Sequence, residues 1–283
     1  MSVSTTAQHS KRIPPPRQPI QWFGRKSPLP DLIMLAIVFP FIGWVIYSGA
    51  AAMGYNWQWY RVPEYIYRVI DGEFIPGPLL RGLWMTLEIT LYSILIALVL
   101  GLIVALLRRS GSRSGSFLAT AYLELIRNTP LLVQVSLFYF VLRPIIDISP
   151  FWTGVIALAV YEGAFAAEII RAGLESVSRG QTEAGKALGF TPYHQFRDIV
   201  LPQAIPIMLP PMANLLISLI KSSAILIAIS IAELTTQASD AISESFLAFE
   251  IWFTVAAMYL AVTLALSVCV SLLEKRVQKY RQR

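Results

Sequence analysis

Gly180, four intervening residues and then Gly185-Lys186 stand at the spacing of a phosphate-binding loop. The stretch "GQTEAGKALG" at 180–189 fills G-x-x-x-x-G-K-[ST] at every position but the last. In a working loop of this kind backbone N–H groups cradle the phosphates, the lysine reaches the terminal ones, and the final hydroxyl holds Mg²⁺. Ala187 stands where the hydroxyl belongs and offers no ligand atom. Other reactive constellations are missing as well. There is no G-x-S-x-G or H-E-x-x-H stretch, and His9 and His194 lie far apart without ligand spacing. Cys269 is the single cysteine, which excludes a disulfide framework and a cysteine metal site.

What remains is a set of charges in apolar surroundings: Glu88, Glu124, Arg127, Glu162, Glu168 and Lys221. The elements that carry them are set by composition. Of 283 residues 55% are hydrophobic and 14% charged, with a mean hydropathy of +0.59, against about 25% charged in a soluble domain. The apolar residues fall in blocks of bilayer length, which needs roughly 20 residues per helix. Six spans are predicted: 31–52, 84–107, 117–142, 151–172, 205–232 and 251–273. The expected class is an all-α integral membrane protein. Its parts are a basic, proline-rich arm (1–30), a first span (31–52), an interfacial segment (53–83), the main transmembrane region (84–273) with a loop at 173–203, and a basic tail (274–283).

The net charge of +6 has to be read against a membrane before it is read as affinity for nucleic acid, and no nucleic-acid partner is expected. With an even number of spans both termini share a side. Of 23 Lys and Arg, all but six fall on that side. Arg61, Arg68, Arg81 and Arg143 fall on the other, and Arg127 and Lys221 lie within spans. Positive residues stay inside, so both termini are expected in the cytoplasm. The aromatic-rich stretch 55–70 is expected to lie along the outer interface as an amphipathic helix. The run from Glu233 to Glu250 reads as a polar, acidic outer loop.

The 180–189 stretch therefore follows a membrane helix rather than a strand, in a loop too short to house a nucleotide. Its local chemistry predicts a different object. Ser178 with Gln181 is a capping-box pattern, so a helix starts near Arg179. Ala184, Ala187 and Leu188 share a face, and Gly189 can take the left-handed conformation that ends a helix. Thr191-Pro192 begins a second helix. The product is a short helix, a tight glycine turn and another helix; its small residues would let another protein approach closely, or the unit is a passive connector that packs under the bundle.

"EAGKALGFTPYHQFRDIVLP" (183–202) resembles the cytoplasmic-loop signature of ABC-importer permeases. That signature is Glu-Ala-Ala, three residues, Gly, nine residues, Ile-x-Leu-Pro. Glu183, Ala184, Gly189, Ile199, Leu201 and Pro202 fill it, and Gly185 replaces the second alanine, small for small. "TLEITLYSILIALVLGLIVALLR" (86–108), "YLELIRNTPLLVQVSLFYF" (122–140), "GAFAAEIIRAGLESVSRGQTEAGKALG" (163–189) and "NLLISLIKSSAILIAISIAEL" (214–234) are similar to the polar amino-acid subfamily, in the same order.

The resemblance implies a type I ABC-importer transmembrane domain of five core helices, to which the span 31–52 is an addition. It implies a bacterial inner-membrane subunit that translocates a polar amino acid by alternating access and binds no cofactor itself. ATP and Mg would be bound by partner ATPase subunits, two per complex. The further implied partners are a second permease copy or paralogue, a periplasmic amino-acid-binding protein, the amino-acid substrate and membrane lipid. The helix at 179–188 would couple to the ATPase through Glu183, Ala184, Ala187, Leu188 and Gly189. Arg179 and Lys186 read as ordinary positive-inside charges.

Intramembrane charges usually face an interior or a partner. Glu124 with Arg127, and Glu168 with Arg171, are three apart and are expected as structural ion pairs. Asn214, Ser218 and Lys221 share a helix face and are expected to line the bundle interior or the dimer axis, as candidates for the substrate pathway. Glu162 has no base three or four positions away. It is expected either on the substrate pathway, with Glu88 as a weaker candidate of the same kind, or as a hydrogen-bonded structural carboxyl. An ion-coupled secondary transporter is the alternative class, although no convincing internal repeat supports it. The two readings of "GQTEAGKALG" separate by mutation. Lys186→Ala should be mild, whereas a bulky or charged residue at Ala184 or Gly189 should uncouple ATP hydrolysis from transport or abolish assembly. Transport and ATPase assays on the assembled transporter check the ranking.

Overall fold

The computed structural model describes residues 29–281. Most of the amino-terminal arm, residues 1–28, and the end of the basic tail, residues 282–283, lie outside them. The chain divides into two units, 1–56 and 57–283. The described part of the first holds α1 (Leu29–Ala52), an apolar helix long enough to span a membrane.

The second unit opens differently from the expected interfacial helix. After a turn at Trp59–Arg61 come α2 (Pro63–Ile66) and an antiparallel hairpin of β1 (Tyr67–Ile70) and β2 (Glu73–Pro76). Tyr67 pairs with Pro76 and Ile70 with Glu73. The reason is local. Tyr-Arg-Val-Ile favours extended backbone. Asp71 and Gly72 both take positive φ, 53° and 80°, as a two-residue hairpin turn requires.

The helices that follow are α3 (Pro78–Arg109), α4 (Arg113–Arg127), α5 (Leu131–Leu137), α6 (Arg143–Ile146), α7 (Pro150–Glu175), α8 (Arg179–Ala187), α9 (Pro192–His194), α10 (Leu201–Ser222), α11 (Leu234–Ser245) and α12 (Ala248–Arg281). Among the described residues five helices are long and apolar enough to cross a membrane, or up to six with a bent pair counted as one. That pair, 113–127 with 131–146, is the expected third span, and it bends by 108°. Apolar counting ran straight through Asn128-Thr129-Pro130, but a proline disfavours helix at the residue before it. Gln134 holds the corner. Its Nε2 donates to the Ile126 carbonyl (2.8 Å), the Thr129 carbonyl (3.2 Å) and the Thr129 hydroxyl (2.6 Å).

α3 and α7 form the centre of the fold. The α7 residues Ala157, Ala159, Ala164, Ala166 and Ala167 are almost wholly buried. Small side chains let helix backbones approach closely, which is how membrane helices gain packing without a hydrophobic drive. Around this contact Ile89, Val135, Val155, Leu158, Leu219 and Leu226 build the main core. α10 keeps Pro206, Pro210 and Pro211 within its helix.

The acidic loop expected at 233–250 is a packed helical element. Leu234, Ala238 and Ala241 recur at helical spacing and are buried together with Leu247 and Ile251. The polar residues between them masked that period. Glu233 is fully buried and caps α11. It accepts from the Thr235 N–H (2.9 Å), the Thr236 N–H (2.8 Å), the Thr236 hydroxyl (3.1 Å) and the Tyr259 hydroxyl (3.2 Å). Glu250, also fully buried, accepts from the Gln58 N–H (2.7 Å). Glu233→Ala should therefore destabilise the protein by about 2 kcal/mol, since it leaves buried donors unpaired. Thermal unfolding in detergent, with the exposed Glu244→Ala as reference, measures it.

Candidate functional site

Two features stand out, a surface helix and an intramembrane cavity, and α10 belongs to both. The surface helix is α8. Ser178 occupies its N-cap, but the hydroxyl makes no capping bond, so the expected capping box does not form. The far end is the better-defined one. Gly189 takes φ of +77°, its N–H donates to the Lys186 carbonyl (3.0 Å), and the Phe190 N–H donates to the Gly185 carbonyl (3.0 Å). These are the paired bonds of a Schellman stop, and they need the left-handed residue between them. Thr191 caps α9 by accepting from the His194 N–H (3.4 Å), with Pro192 in the first turn.

The faces of α8 divide clearly. Glu183, Ala184, Ala187, Leu188 and Gly189 are all exposed, Leu188 by 77%. Of α8 only Gly185 is buried. A Cβ there would stand 2.6 Å from Ile199 Cδ1 and 3.3 Å from Gln195 Cγ. Gln195, itself buried, donates through Nε2 to the Phe190 carbonyl (3.2 Å). The turn after α8 is thus clamped onto residues 195–200, a π-helical stretch that runs directly into α10.

Further along, α10 and α7 enclose a cavity of about 310 Å³, whose wall includes Tyr161, Glu162, Phe165, Pro211, Asn214 and Ser218. The volume is in the range of small-molecule sites. Glu162 is only 4% exposed. The wall offers one carboxyl, one amide, the hydroxyls of Tyr161, Ser218 and Ser222, and two aromatic rings, Tyr161 and Phe165, whose centroids are 5.2 Å apart. Such a set can hold a small polar or cationic group by hydrogen bonds and ring contact. Among the described residues no cluster of His, Cys, Asp and Glu could hold a metal ion.

Comparison with known proteins decides what these features belong to. Residues 97–279 match the family described as binding-protein-dependent transport system inner membrane component. The chain belongs to that family. The permease is similar to the glutamine transport system permease protein GlnP of Escherichia coli, 38% identical over 203 residues that cover 71% of this chain and 93% of that one. It is also similar to the probable glutamine ABC transporter permease protein GlnM of Bacillus subtilis, 43% identical over 164 residues, 58% of this chain and 76% of the relative. Among solved structures, an amino acid ABC transporter with histidines aligns at a TM-score of 0.66 and 40% identity. That alignment covers 70% of this chain and 94% of the other. The permease is thus an ABC-importer transmembrane subunit with several membrane-spanning helices.

The remaining expected residues divide. Lys221 shares a helix face with Asn214 and Ser218 but lies about 10 Å beyond Asn214 along the axis. It is exposed and off the cavity wall, where Ser222 stands instead. Glu88 is half-buried on the shoulder of α3, beside the buried Thr86, Ile89 and Thr90, and also off the wall. Glu168 pairs with Arg171 and, across to α3, with Arg108 (3.1 Å), while Arg171 also pairs with Glu175. The expected Glu124–Arg127 pair does not form. Asn128, one turn after Glu124, takes its carboxylate with Nδ2 (2.8 Å).

Sequence reasoning missed Gln195, the Arg108 link, and the inward orientation of Gly185. A glycine flanked by exposed small residues was the only sign of the last. Because Ile199 Cδ1 is a mobile side-chain end, Gly185→Ala should cost less than about 1.5 kcal/mol. Gly185→Leu should lift α8 from Ile199 and speed trypsin cleavage at Arg179 and Lys186. Limited proteolysis of the two variants compares them.

Proposed function

We propose that this permease carries a polar amino acid across the bacterial inner membrane by alternating access, driven by ATP hydrolysis in two separate ATPase subunits. The exposed face of α8, namely Glu183, Ala184, Ala187, Leu188 and Gly189, docks on one ATPase. A second copy or a paralogue completes the pathway, and an external binding protein delivers the amino acid. The asymmetry of basic residues supports α8 and both termini on the cytoplasmic side. ATP and Mg belong to the partner.

The observation that carries this reading is the continuity of α8's clamp with the cavity wall. Gly185 rests on Gln195 and Ile199. Those residues run without interruption into α10, which carries Asn214 and Ser218 past Glu162. A displacement at an exposed, rigidly stopped knob therefore reaches a cavity wall that bears a carboxyl. Inside the cavity Glu162 meets the substrate's α-ammonium group, with Asn214 and Ser218 as hydrogen-bonding neighbours. The choice of an amino acid is supported by the printed functions of the relatives, glutamine transport and amino acid transport.

Two measurements test it. Glu162→Gln should lower uptake about tenfold or shift amino-acid preference, the loss of one charge-assisted hydrogen bond. Unchanged rates and preference would remove the carboxyl from the pathway. Inactivating the partner ATPase should abolish uptake, and uptake that persists would favour the ion-coupled alternative.

A further inference from the structure

A second cavity, of about 280 Å³, opens between α3, α7 and α10, away from Glu162. Leu98, Leu102, Leu174, Phe196, Ile205 and Met208 are on its wall, and every other wall residue is also Leu, Ile or Met. Leu102, Ile205 and Leu209 remain exposed, so the cavity is open at the side of membrane-spanning helices. Water does not fill an apolar space of this kind. An acyl chain matches this wholly apolar lining.

The rim tells which lipid. Leu98, Leu102, Ala105 and Arg109 follow one face of α3 at helical spacing, and Ala105 packs with Ile170, Leu174 and Val200 beneath the cavity. Arg109 is exposed and has no ion pair among the described residues. Arg197 follows the wall residue Phe196 and is exposed, with only its neighbour Asp198 at 3.7 Å. Neither arginine is on the cavity wall itself, but each continues an element that forms it, and basic residues at the ends of membrane helices attract anionic headgroups, at about 1 kcal/mol each.

We propose that this groove is a specific site for an anionic glycerophospholipid. One acyl chain lies against Leu102, Ile205 and Met208, and the phosphate faces Arg109 and Arg197. Because Phe196 belongs to the stretch that clamps α8, the bound chain forms part of the packing that supports that helix.

The test uses the full-length permease in the assembled transporter, with phosphatidylglycerol or phosphatidylcholine carrying a photoreactive acyl chain. Labelled peptides are mapped by mass spectrometry. The expected result is labelling around 98–102 and 205–212, stronger from phosphatidylglycerol. It should fall about fivefold for each of Arg109→Ala and Arg197→Ala. Met208→Trp should block labelling in the groove and leave it unchanged at the exposed Leu264 on α12. Equal labelling from both lipids, labelling only outside the groove, or indifference to both arginine variants overturns the proposal. So does a Met208→Trp variant that weakens association between permease copies while the lipid adducts persist. If Met208→Trp does not fold, the wild-type map and the arginine variants decide.

Discussion

Inside a bilayer a backbone N–H or C=O has no water to turn to, so the chain must satisfy each such group itself. The irregular places in this permease all answer that demand. The break between α4 and α5 frees carbonyls at Ile126 and Thr129, and the Gln134 amide collects both. The start of α11 frees two N–H groups, and the buried Glu233 carboxylate takes them. Thr90, Thr254 and Thr263 return their hydroxyls to carbonyls one turn back. Once these ends are closed, the close approach of α3 and α7 can supply the packing that holds the remaining helices.

Much of the architecture was legible because the same constraint writes itself into composition. Long apolar blocks mark α3, α7 and α12, and Thr191-Pro192 and Gly189 mark turns whose chemistry is nearly unique. Legibility failed where packing and local chemistry competed. Asn128-Thr129-Pro130 hid inside an apolar run, so a corner was read as a straight span. The stripe Leu234, Ala238 and Ala241 hid inside a polar run, so a buried helix was read as a loop. Asp71-Gly72 carried a hairpin signal that the surrounding aromatic residues obscured.

The candidate sites divide along similar lines. The exposed residues of α8 were picked through the family resemblance, since spacing alone gave only a short helix with small residues and a glycine stop. Glu162, Asn214 and Ser218 met at one cavity because helical period and intramembrane polarity agree on the inward face. Lys221 came near the same period and still missed the wall, since the lining stripe runs on from Ser218 to Ser222 and Lys221 stands about 100° round the helix from Ser222. Glu124 and Arg127 show that a spacing permits a pair without choosing it. Asn128 offered a competing partner for Glu124 that the pairing rule did not weigh.

From Pro192 the chain stays helical to Ile229, 38 residues without an intervening loop. A helical rod of that length measures roughly 55 Å, and tilting it by about 5° moves its far end by roughly 5 Å. The clamp of Gly185 on Ile199 sits near one end of this lever and the cavity wall near its middle. Small angular changes at the surface thus become displacements of roughly 2–3 Å beside Glu162. The gain is set by where the rod pivots, and so by α10's contacts with α3 and α7 rather than by the residues that receive the push.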